Sequence, residues 1–171
     1  LGVEIGKEID LQALREDFDA VFLGFGAQQA RALKVPGVDL EGVSQALPFI
    51  IQHNTDIPLD IPPVPATGKR VVVLGGGDTA MDCLRTAIRL RAKEAVCLYR
   101  RDEANMPGSR REVENSVDEG AKFMFLVNAV EILGNDQGQV RGVKCVRMEL
   151  GAPDSSGRRR PSAVAGSEFE G

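Results

Sequence analysis

The chain has 171 residues, of which 43% are hydrophobic and 27% charged, and its formal net charge is −4. This length is enough for one α/β domain with its own core, and the slight acidity gives no electrostatic reason to expect a nucleic-acid partner. No apolar run approaches the roughly 18 residues that cross a bilayer, and the N-terminus lacks the residue order of a signal peptide. We therefore predict a cytoplasmic protein that binds neither membrane nor nucleic acid.

The first third of the chain predicts peripheral elements and a connector. Residues 11–18 have helical spacing of apolar side chains, and residues 19–26 form a short apolar run ending in glycine, typical of a strand buried on both faces. Ser44 is the predicted cap of a helix over residues 45–52. Four prolines lie in residues 56–68, which favours an extended connector.

A strand–helix–strand unit follows the connector. The apolar run Arg70–Leu74 predicts a strand, residues 78–90 an amphipathic helix, and residues 95–99 a second buried strand. Two strands joined through one helix by short connections pair in parallel. The sequence therefore predicts a parallel sheet flanked by helices.

The remaining elements add a third parallel strand and a meander. Ser109 and Glu112 form a capping-box pattern that starts a helix, Gly120 ends it, and residues 121–126 are the next strand. Asn135-Asp-Gln-Gly138 is a turn signal that joins strands near residues 129–133 and 139–150 in a hairpin. Residues 154–160 read as a solvated loop with a basic patch.

The glycine-rich turn after the first strand of the unit is the main functional signal. A strand that turns sharply into a helix can present backbone N–H groups and the positive end of the helix dipole to a pyrophosphate. Gly75 is suited to the tight turn, Gly77 to close approach of the phosphates and Ala80 to packing of the helix on the sheet. The candidate phosphate-binding residues are Gly75, Gly76, Gly77, Asp78, Thr79 and Ala80. Asp78 and Thr79 are expected to contribute mainly their N–H groups.

Two arginines end the second strand, where an NAD site carries an acidic residue that binds the ribose hydroxyls. Arg100 and Arg101 stand at this position. A guanidinium binds a 2′-phosphate and stacks on adenine, so the pair predicts NADPH as the cofactor. Arg110 or its neighbour Arg111 would close over the 2′-phosphate, or alternatively both are exposed arginines at a helix start.

The cysteines and the single histidine give no further site. Cys83, Cys97 and Cys145 lie in apolar patterns without C-x-x-C spacing, which predicts buried reduced thiols and no metal centre. His53 is expected near the surface at a helix end. We find no constellation for nucleophilic catalysis, so no catalytic residue is predicted in this chain.

Several strings resemble the small (beta) subunit family of NADPH-dependent glutamate synthase. They are residues 75–83, 99–110 and 157–161, with residues 19–27 and 35–40 fitting the same family upstream. The resemblance implies a flavoprotein with two dinucleotide domains, in which NADPH reduces FAD. Electrons then leave through [4Fe–4S] clusters to the large subunit, where glutamate is made.

This chain departs from the family pattern, since it lacks the FAD glycine fingerprint and the cysteine clusters. We therefore expect residues 1–65 to be a flanking strip of the FAD domain with its connector, and residues 66–171 to be the NADPH-binding domain. Alone, the chain is expected to bind NADPH without turnover. Arg91 stands where relatives tend to have glycine after the long helix.

The resemblance also implies partners and leaves alternatives open. The expected partners are the FAD domain of the same polypeptide and the glutamate synthase large subunit or another electron acceptor. The surface that would meet the FAD domain is expected to be exposed in this chain, which predicts a homodimer. The same module is alternatively part of a dihydropyrimidine dehydrogenase-like or ferredoxin-linked reductase. A non-catalytic NADPH sensor and an interaction module with an empty glycine turn are the remaining alternatives.

Overall fold

The structure, a computed structural model, describes residues 3–24, 26, 31–153, 157 and 159–171. The helices are α1 Leu11–Asp17, α2 Ala46–Asn54, α3 Asp78–Arg89 and α4 Arg110–Asp118, with a short 3-10 turn at Glu103–Asn105. The strands are β1 Arg70–Leu74, β2 Glu94–Tyr99, β3 Lys122–Phe125, β4 Val127–Gly134, β5 Val140–Pro153, β6 Arg159–Ala163 and β7 Phe169–Glu170. No helix among the described residues is both long enough and apolar enough to span a membrane.

Strands β1, β2 and β3 form a parallel sheet in that order. The predicted strand–helix–strand unit is confirmed, with β1 at its predicted bounds and α3 and β2 within one residue of theirs. The central strand is buried from Ala95 to Tyr99, as expected for an apolar run covered on both faces. Because all three strands run the same way, their carboxyl ends lie along one edge of the sheet.

Helix α3 packs on one face of this sheet and supplies much of the core. Met81, Leu84 and Ala87 have no solvent exposure, and Cys97 and Tyr99 of β2 belong to the same apolar cluster. The three side chains of α3 are spaced three residues apart and so lie on one side of the helix. Their burial fixes the start of α3 relative to the end of β1.

The second sheet is antiparallel and covers the other face. Strand β5 pairs with β4, β6 and β7. The predicted turn joins β4 to β5, and the Asn135 side chain accepts hydrogen bonds from the N–H groups of Gln137 (3.0 Å) and Gln139 (2.9 Å). Val96 and Leu98 of the parallel sheet pack against this meander. The predicted Rossmann-like sheet with flanking helices and a β-hairpin is therefore the observed fold.

The prediction of a buried strand at residues 19–26 is wrong for the part that the structure describes. Residues 19–24 and 26 form no strand, Phe22 is 93% exposed and Leu23 is 51% exposed. The remaining residue of this run, Phe25, lies outside the described residues. An apolar run becomes a buried strand only when a neighbouring strand takes up its hydrogen bonds, and the described part of the chain places none beside it.

Two smaller predictions also need correction. The N-cap of α2 is Gln45, because Ser44 donates its hydroxyl to the Gln45 carbonyl (3.0 Å) and caps no helical N–H group. The basic end of the predicted loop at residues 154–160 belongs to a strand, since β6 begins at Arg159 and pairs with β5. Residues 154–156 and 158 lie outside the described residues.

The three cysteines are buried and free, as predicted. Burial raises the pKa of the Cys83 thiol to about 12, with a further contribution from the nearby Asp82 carboxylate. Burial alone raises the pKa of Cys97 to about 12. These thiols therefore stay protonated near neutral pH and serve as core side chains. His53 is half-buried in the last turn of α2, with Nε2 3.0 Å from the Val64 carbonyl oxygen.

Helix α3 ends in a Schellman motif with an unusual residue at its left-handed position. The N–H of Arg91 donates to Ile88 O (2.8 Å), and the N–H of Ala92 donates to Ala87 O (3.0 Å). Arg91 takes φ +60°, a region where a Cβ is unfavourable and glycine is usual. The helix therefore keeps a glycine-type ending with an arginine in it.

We expect Arg91→Gly to stabilise the protein by about 0.5–1 kcal/mol, because glycine removes the left-handed strain at a site that keeps both hydrogen bonds. Urea unfolding of the two proteins measures the difference. Lys93→Gly is the control, since Lys93 lies in the same turn without a positive φ and should not be stabilised by glycine. Equal or lower stability of Arg91→Gly would show that Arg91 is not strained there.

An ion-pair cluster joins α3 to the end of α4. Glu119 accepts from Arg85 Nε (2.7 Å) and from Arg89 Nη2 (2.8 Å), and Arg85 Nη1 also donates to Glu112 (2.6 Å). The hydrogen bond from Arg89, with that from Arg85 and the charges of both, holds the pKa of Glu119 below its usual value against the effect of burial. The Glu119 side chain is 26% exposed, so the cluster is partly shielded from solvent.

Glu119→Gln is expected to lower the unfolding free energy by about 1 kcal/mol at pH 7. Because the pKa is lower in the folded than in the unfolded chain, this stabilisation is complete above the unfolded value of about 4.3 and disappears as the pH falls through the folded pKa. Denaturant unfolding between pH 7 and pH 3 should show the two curves converging in acid. Glu114→Gln is the control, because its partner Arg110 is 93% exposed. A gap that persists below both pKa values would contradict the ionic explanation.

Candidate functional site

The glycine turn leaves β1 at the carboxyl edge of the parallel sheet. Gly75 takes φ +137°, and its N–H donates to Leu98 O (3.2 Å), so the turn is tied to the middle strand. A Cβ on Gly76 would lie 2.8 Å from two carbons of the Tyr99 ring. Gly75 therefore meets a backbone requirement, and Gly76 a packing requirement, of the folded chain itself.

Gly77 differs from these two glycines. It is the N-cap of α3 with φ −92° and ψ 173°, a conformation open to any residue, and a Cβ there would meet no atom within 4 Å. Its carbonyl accepts from the N–H groups of Ala80 (2.9 Å) and Met81 (3.2 Å), which closes the first turn of the helix. Nothing in the packing of the described residues requires glycine at this position.

The first turn of α3 offers free hydrogen-bond donors. Within the described part of the chain, the N–H groups of Gly76, Gly77, Asp78 and Thr79 have no protein acceptor. Gly77 supplies no side chain to cap them. Unpaired N–H groups combined with the positive end of the helix dipole favour an anion. The turn therefore has the geometry expected for a phosphate-binding loop.

A second segment is held against the glycine turn. The N–H of Gly108 donates to Gly76 O (2.9 Å), and the N–H of Ser109 donates to the Asp78 carboxylate (2.7 Å). Tyr99 donates its hydroxyl to Asn105 O (2.7 Å), which ties the 3-10 turn to the same edge. The start of α4 is thereby positioned beside the start of α3.

The role of the Asp78 side chain was missed by sequence reasoning, which assigned this residue mainly its N–H group. Its carboxylate receives the Ser109 N–H at the beginning of α4, while the Ser109 hydroxyl accepts from Glu112 N (3.3 Å). An acid at the first position of a helix is the only local signal for such a contact. The partner was not predictable, since it lies in another element.

The arginines predicted to select the cofactor occupy different environments. Arg100 is exposed directly after β2. Arg101 is half-buried, and its Nε donates to the carbonyl oxygen of Arg159 (2.9 Å). Arg110 pairs with Glu114 on its own helix (2.9 Å) with a 93% exposed side chain, and Arg111 is exposed. The first two thus follow the middle strand at the edge where the glycine turn lies, and the pairing of Arg110 fits the alternative of a helix-start arginine.

Two acidic groups near β2 are either placed away from this edge or already engaged. Glu94 begins β2, at the opposite end of the strand from Arg100, and pairs with Lys122 (2.7 Å) and Arg70 (2.9 Å). Hydrogen bonding from Lys122 and then Arg70 lowers the pKa of Glu94. Asp102 accepts from the Asn105 N–H (3.0 Å) as the cap of the 3-10 turn. No carboxylate therefore ends β2, where a ribose-binding acid would stand.

The chain matches the pyridine nucleotide-disulphide oxidoreductase family over residues 3–152. It is 51% identical to the glutamate synthase [NADPH] small chain of Escherichia coli (strain K12), covering 98% of this chain and 37% of the relative. It is 49% identical to the putative oxidoreductase AegA of the same organism, covering 99% and 26%. The chain thus spans about a third of the length of these relatives, and the resemblance to glutamate synthase small chains is confirmed.

Solved structures of the same fold agree with the observed architecture. The chain is similar to Mycobacterium tuberculosis FprA in complex with NADPH with a TM-score of 0.76 at 23% identity, over 98% of this chain and 51% of that one. At this level of identity the similarity concerns the fold, an α/β dinucleotide-binding fold. From the family match, the relatives and this fold, the chain belongs to the pyridine nucleotide-disulphide oxidoreductase family.

Proposed function

We propose that the chain is the NADPH-binding module of a flavoprotein oxidoreductase of the glutamate synthase small-chain type. The observation that carries the proposal is the position of two groups at one edge of the parallel sheet. The unpaired N–H groups at the start of α3 lie there, and Arg100 and Arg101 follow the middle strand. The first group fits a pyrophosphate and the second a 2′-phosphate.

Each part of the site has a binding task in this proposal. Gly75, Gly76 and Gly77 shape the turn, the N–H groups of Asp78 and Thr79 bind the pyrophosphate, and Ala80 keeps α3 close to the sheet. Ala80 is buried at 7% exposure, in agreement with that packing role. The Asp78 carboxylate holds the Ser109 end of α4, so that the loop before it borders the glycine turn.

In this proposal bound NADPH would supply a hydride to FAD held elsewhere in the protein. The two electrons would then leave FAD one at a time through [4Fe–4S] clusters that serve glutamate synthesis. This chain contributes binding and orientation, which is what the protein part of a cofactor site provides. The glutamate synthase [NADPH] small chains of Escherichia coli and Halomonas elongata, at 51% and 50% identity, support NADPH as the electron donor and glutamate synthase as the type of enzyme.

The exposed apolar residues at the start of the chain support a partner surface. Phe18, Phe22 and Leu23 are 59%, 93% and 51% exposed, an unusual concentration for a free surface. We propose that residues 1–65 contain a strip that packs on an FAD domain of the same protein and that residues 66–171 form the NADPH domain. In isolation this surface would favour a homodimer, which sedimentation at increasing concentration tests.

A related reductase with another electron acceptor is the second candidate. The NADPH-Fe(3+) oxidoreductase subunit beta of Geobacter sulfurreducens is 46% identical over 96% of this chain, which lies within the 42–51% range of the glutamate synthase small chains. The binding module would be the same in both cases. The two are separated by whether the full protein passes electrons to a glutamate synthase large subunit or to another acceptor.

Calorimetric titration of the chain with NADP+ and NAD+ tests the binding proposal. We expect NADP+ to bind at least about tenfold more tightly, the size of one charge-assisted hydrogen bond to the 2′-phosphate. 2′-AMP should compete with NADP+, whereas 5′-AMP should compete poorly. Equal affinity for the two dinucleotides would contradict the assignment of the arginine pair. If neither dinucleotide binds, the proposal that the chain is a nucleotide-binding module is contradicted.

A further inference from the structure

The β5–β6 hairpin reaches the candidate site through one hydrogen bond. Arg101 is the second arginine of the pair that follows β2. Its Nε donates to the main-chain carbonyl of Arg159, the first residue of β6 (2.9 Å). The hairpin belongs to the antiparallel sheet, so this contact connects the two sheets at the carboxyl edge of the parallel one. Neither the glycine motif nor the arginine pair predicts it.

The Arg159 side chain fixes the position of this carbonyl. It donates from Nε to Gly151 O (3.0 Å) and from Nη2 to Leu150 O (2.6 Å). Both acceptors are main-chain oxygens of β5, and they lie where the register of β5 and β6 shifts between Leu150 and Pro153. A ladder that shifts register loses regular pairing, and the guanidinium of Arg159 replaces it with side-chain hydrogen bonds.

The Arg159 carbonyl therefore holds the Arg101 guanidinium at its Nε end. A guanidinium carries five N–H donors, and the contact with Arg159 uses only the one on Nε. Within the described part of the chain, the two terminal nitrogens of Arg101 have no protein acceptor and so retain donors suited to bidentate binding of a phosphate. A side chain already held in place loses less conformational entropy when a ligand binds. Arg100 is exposed, and its side chain has no equivalent support among the described residues.

We propose that Arg159 is a positioning residue for dinucleotide selectivity, acting through its own carbonyl to orient Arg101 toward the 2′-phosphate. The inference rests on the proposed function, since it presumes that Arg101 meets NADPH. It gives Arg159, one of the two arginines that begin β6, a specific task in place of a general positive charge.

Charge alone makes a different prediction from geometry. Arg160 is also exposed on β6 and carries the same charge next to Arg159, but its side chain makes no hydrogen bond to β5 in the described structure. If Arg159 and Arg160 act only through their positive charge, removing either one should weaken NADP+ binding by the same amount. If Arg159 acts by fixing the hairpin, only its loss matters.

The test is titration of the full chain with NADP+ and NAD+ for Arg159→Ala, Arg159→Lys and Arg160→Ala. We expect Arg159→Ala to weaken NADP+ binding about fivefold, the size of one lost hydrogen bond, without changing NAD+ binding, and Arg160→Ala to change either by less than about twofold. Arg159→Lys keeps the charge but not the fork that reaches two carbonyls, so it should behave like alanine. It also serves if the alanine variant folds poorly.

Combining the changes separates positioning from a general structural effect. In an Arg101→Ala background, Arg159→Ala should cause no further loss of NADP+ affinity, because the group that it positions is gone. Additive losses, or equal losses for Arg159→Ala and Arg160→Ala, would overturn the inference while a wild-type preference for NADP+ leaves the proposed function standing. A wild-type chain without that preference would overturn both.

Discussion

Arg100→Ala is expected to weaken NADP+ binding by about 10- to 100-fold and to leave NAD+ binding within about twofold. The two dinucleotides differ only in the 2′-phosphate, so a residue that binds this group changes one affinity and not the other. Arg100 is exposed at the end of the middle strand, the position from which NAD sites present an acid to the ribose. Calorimetric titration with both nucleotides measures the effect.

The control for this change is an arginine of the same sheet at its other edge. Arg70→Ala removes the same charge, but Arg70 begins β1 and pairs with Glu94 (2.9 Å). We expect it to leave both affinities within about twofold at moderate salt, because charges farther apart than about 8 to 10 Å are screened. Similar losses for both variants would point to net charge. Equal loss of affinity for NADP+ and NAD+ in Arg100→Ala would show that Arg100 contacts a part that the two dinucleotides share.

Much of the fold followed from local patterns. The apolar run of β1, the amphipathic period of α3 and the turn at Asn135 each depend on residues close together in the chain, and each was found where it was predicted. The capping box at Ser109 is confirmed in its first half, since the Ser109 hydroxyl accepts from Glu112 N (3.3 Å), whereas the Ser109 N–H donates to Asp78 and not to Glu112. Local hydrogen bonding and periodicity decide these elements, so the sequence alone carries them.

The parts that sequence reasoning missed depend on distant partners. Asp78 and Ser109 are 31 residues apart, and Arg101 and Arg159 are 58 residues apart, so neither contact leaves a periodic trace. The run at residues 19–26 reads as a strand because it is apolar, yet strand formation depends on a neighbour that the described residues do not provide. The glycine turn was predictable because it depends on consecutive residues. Its contacts with the start of α4 were not predictable, because they join residues far apart in the chain.

Gly77→Ala is expected to weaken NADP+ and NAD+ binding together, by about tenfold or more, while changing the unfolding free energy by less than about 1 kcal/mol. The backbone of Gly77 is extended and a Cβ would meet no atom within 4 Å, so the folded chain accepts the methyl group. A pyrophosphate on the free N–H groups of this turn would not accept it, because the backbone must come directly against the phosphates. Both nucleotides carry the pyrophosphate, so both should lose affinity.

Gly76→Ala is the matched comparison, one residue earlier in the same turn. Its Cβ would lie 2.8 Å from the Tyr99 ring, which is buried, so we expect a loss of about 1–3 kcal/mol in unfolding free energy. Urea unfolding and titration of both variants therefore give opposite patterns: stability falls at Gly76, and affinity falls at Gly77 with stability kept. If Gly77→Ala binds both nucleotides as the wild type does, no phosphate approaches this turn and its glycines serve the fold alone. Loss of both affinities in Gly77→Ala, together with loss of NADP+ affinity alone in Arg100→Ala, would assign the pyrophosphate of NADPH to the glycine turn and its 2′-phosphate to the arginine pair.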